Sequence, residues 1–259
     1  MTEYAEFHRL ILAYVLAATR MGGALMILPA TSSSMITGIA RTAVTLAFAT
    51  LTVPMIMGTM PPGEPSWALM TLLAVKEAVI GFLLGFFAAI PFWVAENIGN
   101  FIDNQRGATM GEVYSPLSGA QVSTTGIFFT QLVSTIFFSS GAVIVFLGAT
   151  YSSYAVVPVF GGWPALAGDT PEFMLGTLDS MLATMFVISA PVIILMFLAT
   201  IGLGFVNRTA PQLNVFFLSM PVKSALGVAL LVIYLQYILD ILVYREESAI
   251  LGPVMRLLA

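Results

Sequence analysis

The stretch that decides the fold is residues 66–94, which read SWALMTLLAVKEAVIGFLLGFFAAIPFWV. Most of its side chains are apolar, and it exceeds the ~20 residues that cross a hydrocarbon core as a helix. Other apolar stretches lie at roughly 10–29, 43–60, 127–150, 181–206 and 224–244. Because alternating segments of about 10 residues are missing, the pattern disfavours a transmembrane β-barrel. The sequence therefore predicts an all-α fold of membrane-associated helical hairpins.

The composition of the 259-residue chain points to the same class, since 59% of the residues are hydrophobic and only 8% are charged. An ordinary soluble domain has about 25% charged residues, so the polar surface of a soluble globule is missing. A net charge of -4 excludes the basic footprint of a nucleic-acid-binding protein. The lack of cysteine excludes disulfides and thiolate metal sites.

Three charged residues lie near the middle of apolar stretches, where each costs about 2.5–3.5 kcal/mol at a helix centre. They are Arg20 in the first stretch and the neighbours Lys76 and Glu77 in the third. Sequence neighbours point in different directions on a helix and cannot pair along one face. We therefore expect each to meet a partner on another helix, or water. A structural ion pair and a role in a transport pathway both remain open.

One break between the apolar stretches is long, polar and rich in glycine: residues 95–126, AENIGNFIDNQRGATMGEVYSPLSGAQVSTTG. Long loops inside compact domains are uncommon and are usually functional. Two shorter features are predicted near the C-terminus. Pro211 and Pro221 bracket a turn between the last two helices, and the tail 244–259 forms a charged turn with an apolar end.

Glycines and prolines inside the apolar stretches predict how the helices pack. Gly81 and Gly85 form a small-xxx-small pair that allows close helix contact. Pro54, Pro91 and Pro191 are expected to kink or break their helices.

A search for chemistry finds no catalytic, cofactor-binding or metal-binding constellation. His8 is the only histidine, which excludes the HExxH zinc motif, and neither Lys76 nor Lys223 follows the glycine of a P-loop. The sequence therefore predicts no enzyme and no cofactor.

Two groups of motifs carry a family resemblance that covers nearly the whole chain. The first consists of KEAVIG at 76–81, PFW at 91–93 and IDNQRGA at 102–108. The second is NRTAPQLNVF at 207–216, followed by Lys223 and Ser224. Together they resemble the SctT family of type III secretion export proteins, the injectisome counterparts of the flagellar FliR proteins. The IDNQRG version looks like the injectisome branch.

The resemblance implies a single export-gate domain over 1–259, packed with kinked helices into a larger helical assembly. Its members are structural, channel-forming subunits that help to enclose and close the conduit for unfolded effector and needle proteins across the bacterial inner membrane. Part of the assembly is raised to the periplasmic side. The implied partners are SctR-like and SctS-like gate subunits, an SctU-like switch protein, an SctV-like export component, unfolded protein substrates and membrane lipid, with no nucleic acid.

The resemblance also places the region 95–126 in the channel lumen, as a plug. The expected plug residues are Asp103, Arg106, Gly107, Met110, Gly111, Glu112, Tyr114, Pro116, Leu117 and Gln121. The expected contacts between helices or subunits are Arg20, Lys76, Glu77, Gly81, Gly85, Arg208, Pro211, Asn214 and Lys223. Thr200 stands where many members have an acidic residue, so the resemblance supplies no partner for Lys76 or Arg208.

The alternative interpretation is a polytopic secondary transporter that uses Arg20, Lys76, Glu77 and Asp240 as ion or substrate groups. Transporters commonly show internal repeats, and the sequence shows no clear repeat. A transporter should be active alone, whereas an export-gate subunit should co-purify with partners.

Overall fold

The computed structural model describes residues 2–32, 35–63, 65–107, 123–163, 170–210, 212 and 214–258. Every regular element in these ranges is helical. The α-helices are α1 (Thr2–Ile27), α2 (Gly38–Thr50), α3 (Val53–Thr59), α4 (Trp67–Arg106), α5 (Thr124–Ser139), α6 (Ala142–Val156), α7 (Thr170–Thr209) and α8 (Val215–Leu258). A short 3-10 helix, Pro29–Thr31, follows α1.

The predicted all-α membrane fold is confirmed. Among the described residues, four helices are long and apolar enough to cross a membrane, namely α1, α4, α7 and α8. The count rises to six if the bent pairs α2–α3 and α5–α6 each form one span. Every apolar stretch recognised in the sequence falls in one of these helices or pairs.

The two bent pairs have identifiable local causes. Helices α2 and α3 meet at 49°, and Pro54 occupies the first turn of α3, where its missing N–H costs nothing. Between α5 and α6, Gly141 has φ 85°, a left-handed conformation that glycine adopts without strain. Pro91 and Pro191, in contrast, lie inside α4 and α7, which continue through them.

The polar break predicted at 95–126 is wrong at both ends, because α4 continues to Arg106 and α5 begins at Thr124. Polar residues here belong to a helix whose other face is buried, with Ile98 and Ile102 in the core. The side chain of Asn97 illustrates how such a residue is satisfied, since its amide donates to the carbonyl of Trp93 at 2.8 Å. Most polar residues between 95 and 106 therefore lie on one face of a helix and do not form a loop.

Two predictions near the C-terminus also need correction. The tail 244–259 is not a turn, because α8 extends to Leu258. Pro221 does not end a turn but lies inside α8, where it removes one backbone hydrogen bond without stopping the helix. Asp240, named as an ion or substrate group in the transporter alternative, also lies well inside α8.

The chain divides into two compact units. Unit 1 comprises Met1–Ile90, Phe137–Pro171 and Glu246–Ala259, and unit 2 comprises Pro91–Ile136 and Glu172–Arg245. The single domain over 1–259 stays a prediction.

In unit 1, α1 and the first part of α4 run parallel and very close together. A Cβ at Gly81 would overlap the carbonyl of Arg20, and one at Gly85 would overlap that of Ala24. On α1, Gly23 similarly lies against the backbone of Ala78. These glycines allow backbone contact between the helices, so the predicted small-xxx-small pair packs within this chain.

In unit 2, the end of α4 and the start of α5 also make a close backbone contact at glycines. A Cβ at Gly99 would overlap the backbone of Gly126. Further along the unit, the rings of Phe101 and Phe186 have centroids 5.1 Å apart. Much of α7 and α8 remains exposed in this chain, and Ile233 is an example with 79% exposure.

The close approach of α1 and α4 predicts that the variant Gly85→Ala destabilises the protein. Its methyl group would overlap backbone atoms that cannot move without shifting a helix. The matched control is Gly148→Ala on α6, where an added Cβ meets nothing within 4 Å. That control should be neutral or stabilising by up to about 1 kcal/mol through helix propensity. Thermal unfolding of the full chain in detergent measures both, and equal melting temperatures would contradict the packing.

Candidate functional site

A buried group of charged residues lies inside unit 1; we call Arg20, Lys76 and Glu77 the Arg20 cluster. The guanidinium of Arg20 on α1 makes a bidentate pair with Glu77 on α4, with Nε 2.6 Å from Oε2 and Nη2 2.9 Å from Oε1. Both side chains are fully buried. Arg20 also donates from Nη1 to Oγ of Ser153 and from Nη2 to the carbonyl of Val157, both at 2.9 Å. The Arg20 cluster therefore joins α1, α4 and the end of α6.

Lys76 uses its ammonium group to hold backbone that has left the helix. Its Nζ donates to the carbonyls of Pro158, Val159 and Gly161 at 2.9, 2.6 and 3.1 Å. An ammonium has three N–H donors, so these contacts use all of them. Non-helical backbone at membrane depth is tolerated only where its polar groups find partners in protein or water. Lys76 supplies those partners to the segment after α6.

In the Arg20 cluster, two cations share the single carboxylate of Glu77, and other groups compensate the positive charge that remains. Lys76 Nζ lies 3.9 Å from Glu77 Oε1, so the flexible lysine does approach its sequence neighbour, contrary to the prediction. The remaining positive charge faces the carbonyls of Val157, Pro158, Val159 and Gly161, just beyond the C-terminal, negative end of the α6 dipole. The guanidinium also stacks on the ring of Tyr154, 3.8 Å from its centroid.

A second polar group lies in unit 2, where α4 ends and α5 begins. We call Asp103, Arg106, Ser123 and Thr125 the Asp103 cluster. The buried carboxylate of Asp103 accepts from Oγ of Ser123 at 2.7 Å, from the backbone N–H of Thr125 at 3.0 Å and from its hydroxyl at 2.5 Å. Arg106 completes the cluster, with Nη2 2.8 Å from Asp103 Oδ1 and 3.3 Å from Oγ1 of Thr125.

The Asp103 cluster brings together the two ends of the segment that joins α4 to α5. A carboxylate at the N-terminus of α5 satisfies a free N–H and interacts favourably with the helix dipole. At the other end, Gly107 stops α4 in a left-handed conformation with φ 80°, and its N–H bonds the carbonyl of Asn104. Residues 107 and 123 are therefore held at one place.

The predicted site residues that the structure describes fall into three groups, and a fourth set lies outside the described ranges. Arg20, Lys76, Glu77, Gly81 and Gly85 lie together in unit 1, and Asp103, Arg106 and Gly107 lie together in unit 2. Arg208 ends α7 and is exposed, Asn214 is exposed before α8, and Lys223 is half-buried in α8. The predicted residues outside the described ranges are Met110, Gly111, Glu112, Tyr114, Pro116, Leu117, Gln121 and Pro211.

Sequence reasoning missed the groups that complete both clusters. Ser153 and Tyr154 belong to TYSSY, a polar run that ends an otherwise apolar stretch, and that run was the available signal. Ser123 and Thr125 belong to STT directly before an apolar run, a pattern typical of a helix N-terminus. The carbonyls that bind Lys76 left no signal, because a side chain pattern does not report where a backbone oxygen lies.

These helices and buried polar groups define a helical membrane protein, and its described residues form no enzyme-like site. Comparison with known proteins identifies its family. Residues 11–247 match the family model of bacterial export proteins, family 1. The chain therefore belongs to this family, which confirms the resemblance drawn from its motifs.

Several relatives show how far the similarity extends. The Yop proteins translocation protein T of Yersinia pestis is 37% identical over 95% of this chain and 97% of its own length. The surface presentation of antigens protein SpaR of Salmonella typhimurium is 28% identical over 91% and 88%. The flagellar biosynthetic protein FliR of Bacillus subtilis is 33% identical over 64% and 65%.

The Arg20 cluster predicts a strong energetic coupling between its ion-pair partners. Glu77→Gln leaves the guanidinium of Arg20 buried without a counterion, and Arg20→Met removes the bidentate partner of the carboxylate, leaving it with Lys76 at 3.9 Å. Each single variant should lose about 3–5 kcal/mol of unfolding free energy. The double variant should lose clearly less than the sum, since it leaves neither charge unpaired. Denaturation of all four proteins in one detergent measures the cycle, and additive losses would contradict the buried pair.

Proposed function

We propose that the protein is a structural, channel-forming subunit of a type III secretion export gate in the bacterial inner membrane, where it helps to enclose and close the conduit for unfolded proteins. Its membership of a bacterial export family and its apolar helices support the general role. Its part in closing the channel is the finer step, for which we propose residues 108–122 as a plug. This role is structural, so it requires no catalytic group.

The observation that carries the plug proposal is the Asp103 cluster. A plug must be attached at a fixed place while its residues fill the channel. Four hydrogen bonds or ion-pair contacts to one buried carboxylate fix Ser123, Thr125 and Arg106 around Asp103. The close crossing of Gly99 and Gly126 lies beside it and fixes the two helices themselves. The attachment point of residues 108–122 is therefore rigid.

Arg106 supplies a candidate link between this base and the plug. Its Nε is buried and has no acceptor among the described residues. A buried N–H without a partner costs about 1–3 kcal/mol. We propose that residues 108–122 provide the acceptor, either a backbone carbonyl or the carboxylate of Glu112.

The proposed partners are SctR-like and SctS-like gate subunits, with SctU-like and SctV-like components nearby and part of the assembly raised to the periplasmic side. Two long helices support the assembly proposal, because only 22% of the apolar window of α7 and 17% of that of α8 are buried in this chain. Arg208, Asn214 and Lys223 lie at the adjoining ends of these helices. We propose this end, together with Pro211, as a subunit interface.

The transporter alternative loses its main support in the geometry of unit 1. Arg20, Lys76 and Glu77 are bound to one another, to Ser153 and to backbone carbonyls, which use four of the five donors of Arg20 and all three of Lys76. A pathway residue needs access to water, whereas the side chains of all three are at most 1% exposed. They serve as links between helices.

Deletion of residues 110–121 tests the plug. The deletion leaves the Asp103 cluster and both helix ends intact, so the gate should still assemble. We expect ion leak through the assembled gate to rise well above that of the wild type, measured as conductance in planar bilayers. Co-purification of the partner subunits is the control for assembly. An assembled deletion variant with unchanged leak would contradict the plug.

The Asp103 cluster itself gives a second prediction. Asp103→Ala removes the acceptor of four of the five contacts in the cluster, so we expect a rise in leak that is smaller than the deletion causes. The matched control is Asp179→Asn, an exposed carboxylate on α7 of the same unit. Equal leak in both variants, at the wild-type level, would show that Asp103 does not hold the base of the plug.

A further inference from the structure

An apolar pocket in unit 1 lies between α3 and the end of α6. It has a volume of about 230 Å³, and α3 contributes Met55, Ile56 and Thr59 to its wall. The opposite wall consists of Tyr154 and Ala155 with residues 158–159. Drug-sized ligands usually occupy about 300–1,000 Å³, so this pocket suits a thinner apolar group.

The guanidinium of Arg20 contacts the pocket wall at Tyr154, but it is already bound to Glu77, Ser153 and Val157. A second guanidinium, that of Arg9, lies near the wall formed by α3. Its Nη2 donates to the carbonyl of Met60 at 3.1 Å, and Met60 directly follows Thr59 of the pocket wall. That carbonyl is the only acceptor that the described residues give Arg9, and its Nε has none. A guanidinium has five N–H donors, so the described residues leave most of those on Arg9 without an acceptor.

The surroundings of Arg9 are those of a membrane interface. It lies close to the beginning of an apolar span that runs over Glu6–Ile27. Phe7 and Ile11 flank it on α1 with exposures of 61% and 44%. Cations at this depth reach the phosphate layer of a bilayer, while neighbouring apolar side chains contact acyl chains.

We propose that Arg9 and the pocket form a binding site for one anionic phospholipid. The phosphate group accepts hydrogen bonds from the guanidinium of Arg9, and part of an acyl chain fills the space between α3 and α6. Arginine binds phosphate well because its planar donors match two oxygens at once.

The argument for a lipid rests on the pairing of charge and shape. Thr59 of the pocket wall is followed directly by Met60, whose carbonyl accepts from Arg9. The apolar volume and the cation are therefore associated with neighbouring residues at the end of α3. An amphiphile with a negative head and a thin apolar tail satisfies both. A side chain from a partner subunit could fill the pocket but would leave the donors of Arg9 unused, and this occupant is an outcome of the test.

The experiment uses the full chain in nanodiscs and phosphatidylglycerol that carries a diazirine in its acyl chain. After illumination, peptide mapping quantifies the label on residues 55–59 and 154–159. We expect labelling by phosphatidylglycerol to exceed labelling by the matched phosphatidylcholine probe. Arg9→Gln should lower it about fivefold, the effect expected for one cation at an anionic surface.

Two matched controls separate this site from general lipid contact. Arg41 is also half-buried and also donates from Nη2 to one carbonyl, but that carbonyl belongs to Leu25, which is not next to any residue of the pocket wall. Arg41→Gln should therefore leave the label on the pocket peptides unchanged. Ala155→Phe should block the pocket, whereas Ser152→Phe, on the same helix and exposed, should not.

Several results would overturn the proposal. Equal labelling by both lipids would show that the head group is not recognised. Equal losses in the Arg9 and Arg41 variants would indicate general electrostatic attraction. Unchanged labelling in Ala155→Phe would place the acyl chain elsewhere. A photoreactive residue at position 155 that cross-links mainly to a co-expressed gate subunit would assign the pocket to a protein.

Discussion

Backbone carbonyls that leave a helix inside an apolar layer must find donors within the protein, and this constraint governs unit 1. After α6 ends, the carbonyls of residues 157–161 have no helical partners, and two buried cations provide the donors. Arg20 and Lys76 cannot remain buried without compensation, because an isolated charge in such a place is very costly. Glu77 neutralises part of that charge and Tyr154 stacks on the guanidinium. These contacts allow the two cations to stay buried and to bind the carbonyls after α6.

The glycines of the α1–α4 contact are a precondition for this arrangement. Arg20 and Glu77 approach within 2.6 Å only because the two helix backbones touch near Gly81. A larger residue would separate the helices and lengthen the ion pair, and a buried pair with poor geometry no longer repays its desolvation. Unit 2 follows the same principle with the opposite charge: Gly99 and Gly126 bring the helices together, and a carboxylate satisfies the N-terminus of α5.

The sequence was sufficient to predict the all-α membrane fold, because long apolar stretches are visible in it directly. It was sufficient to predict the family as well, because the family motifs are short runs of residues in a fixed order. It was also sufficient to predict that Arg20 needs a partner on another helix. It failed at 95–126 and in the C-terminal tail, where polarity, glycine and proline were interpreted as loop signals. In the last part of α4, most polar residues lie on the face that is not buried, and the buried Asp103 is paired with α5. The partners of Lys76 are backbone oxygens, which no pattern of side chains reveals.

The hydrogen-bond donors of the buried cations distinguish two kinds of region. In one, the donors have acceptors within the described residues, and in the other, some donors have none. In the Arg20 cluster the three ammonium donors of Lys76 and four of the five donors of Arg20 are used, so this cluster is a fixed part of the molecule. Arg106 and Arg9 differ, since each has a buried Nε without a described acceptor. Natural proteins rarely leave such groups unpaired. The proposed contacts, from residues 108–122 at Arg106 and from a lipid phosphate at Arg9, would supply acceptors for donors that the described helices do not satisfy.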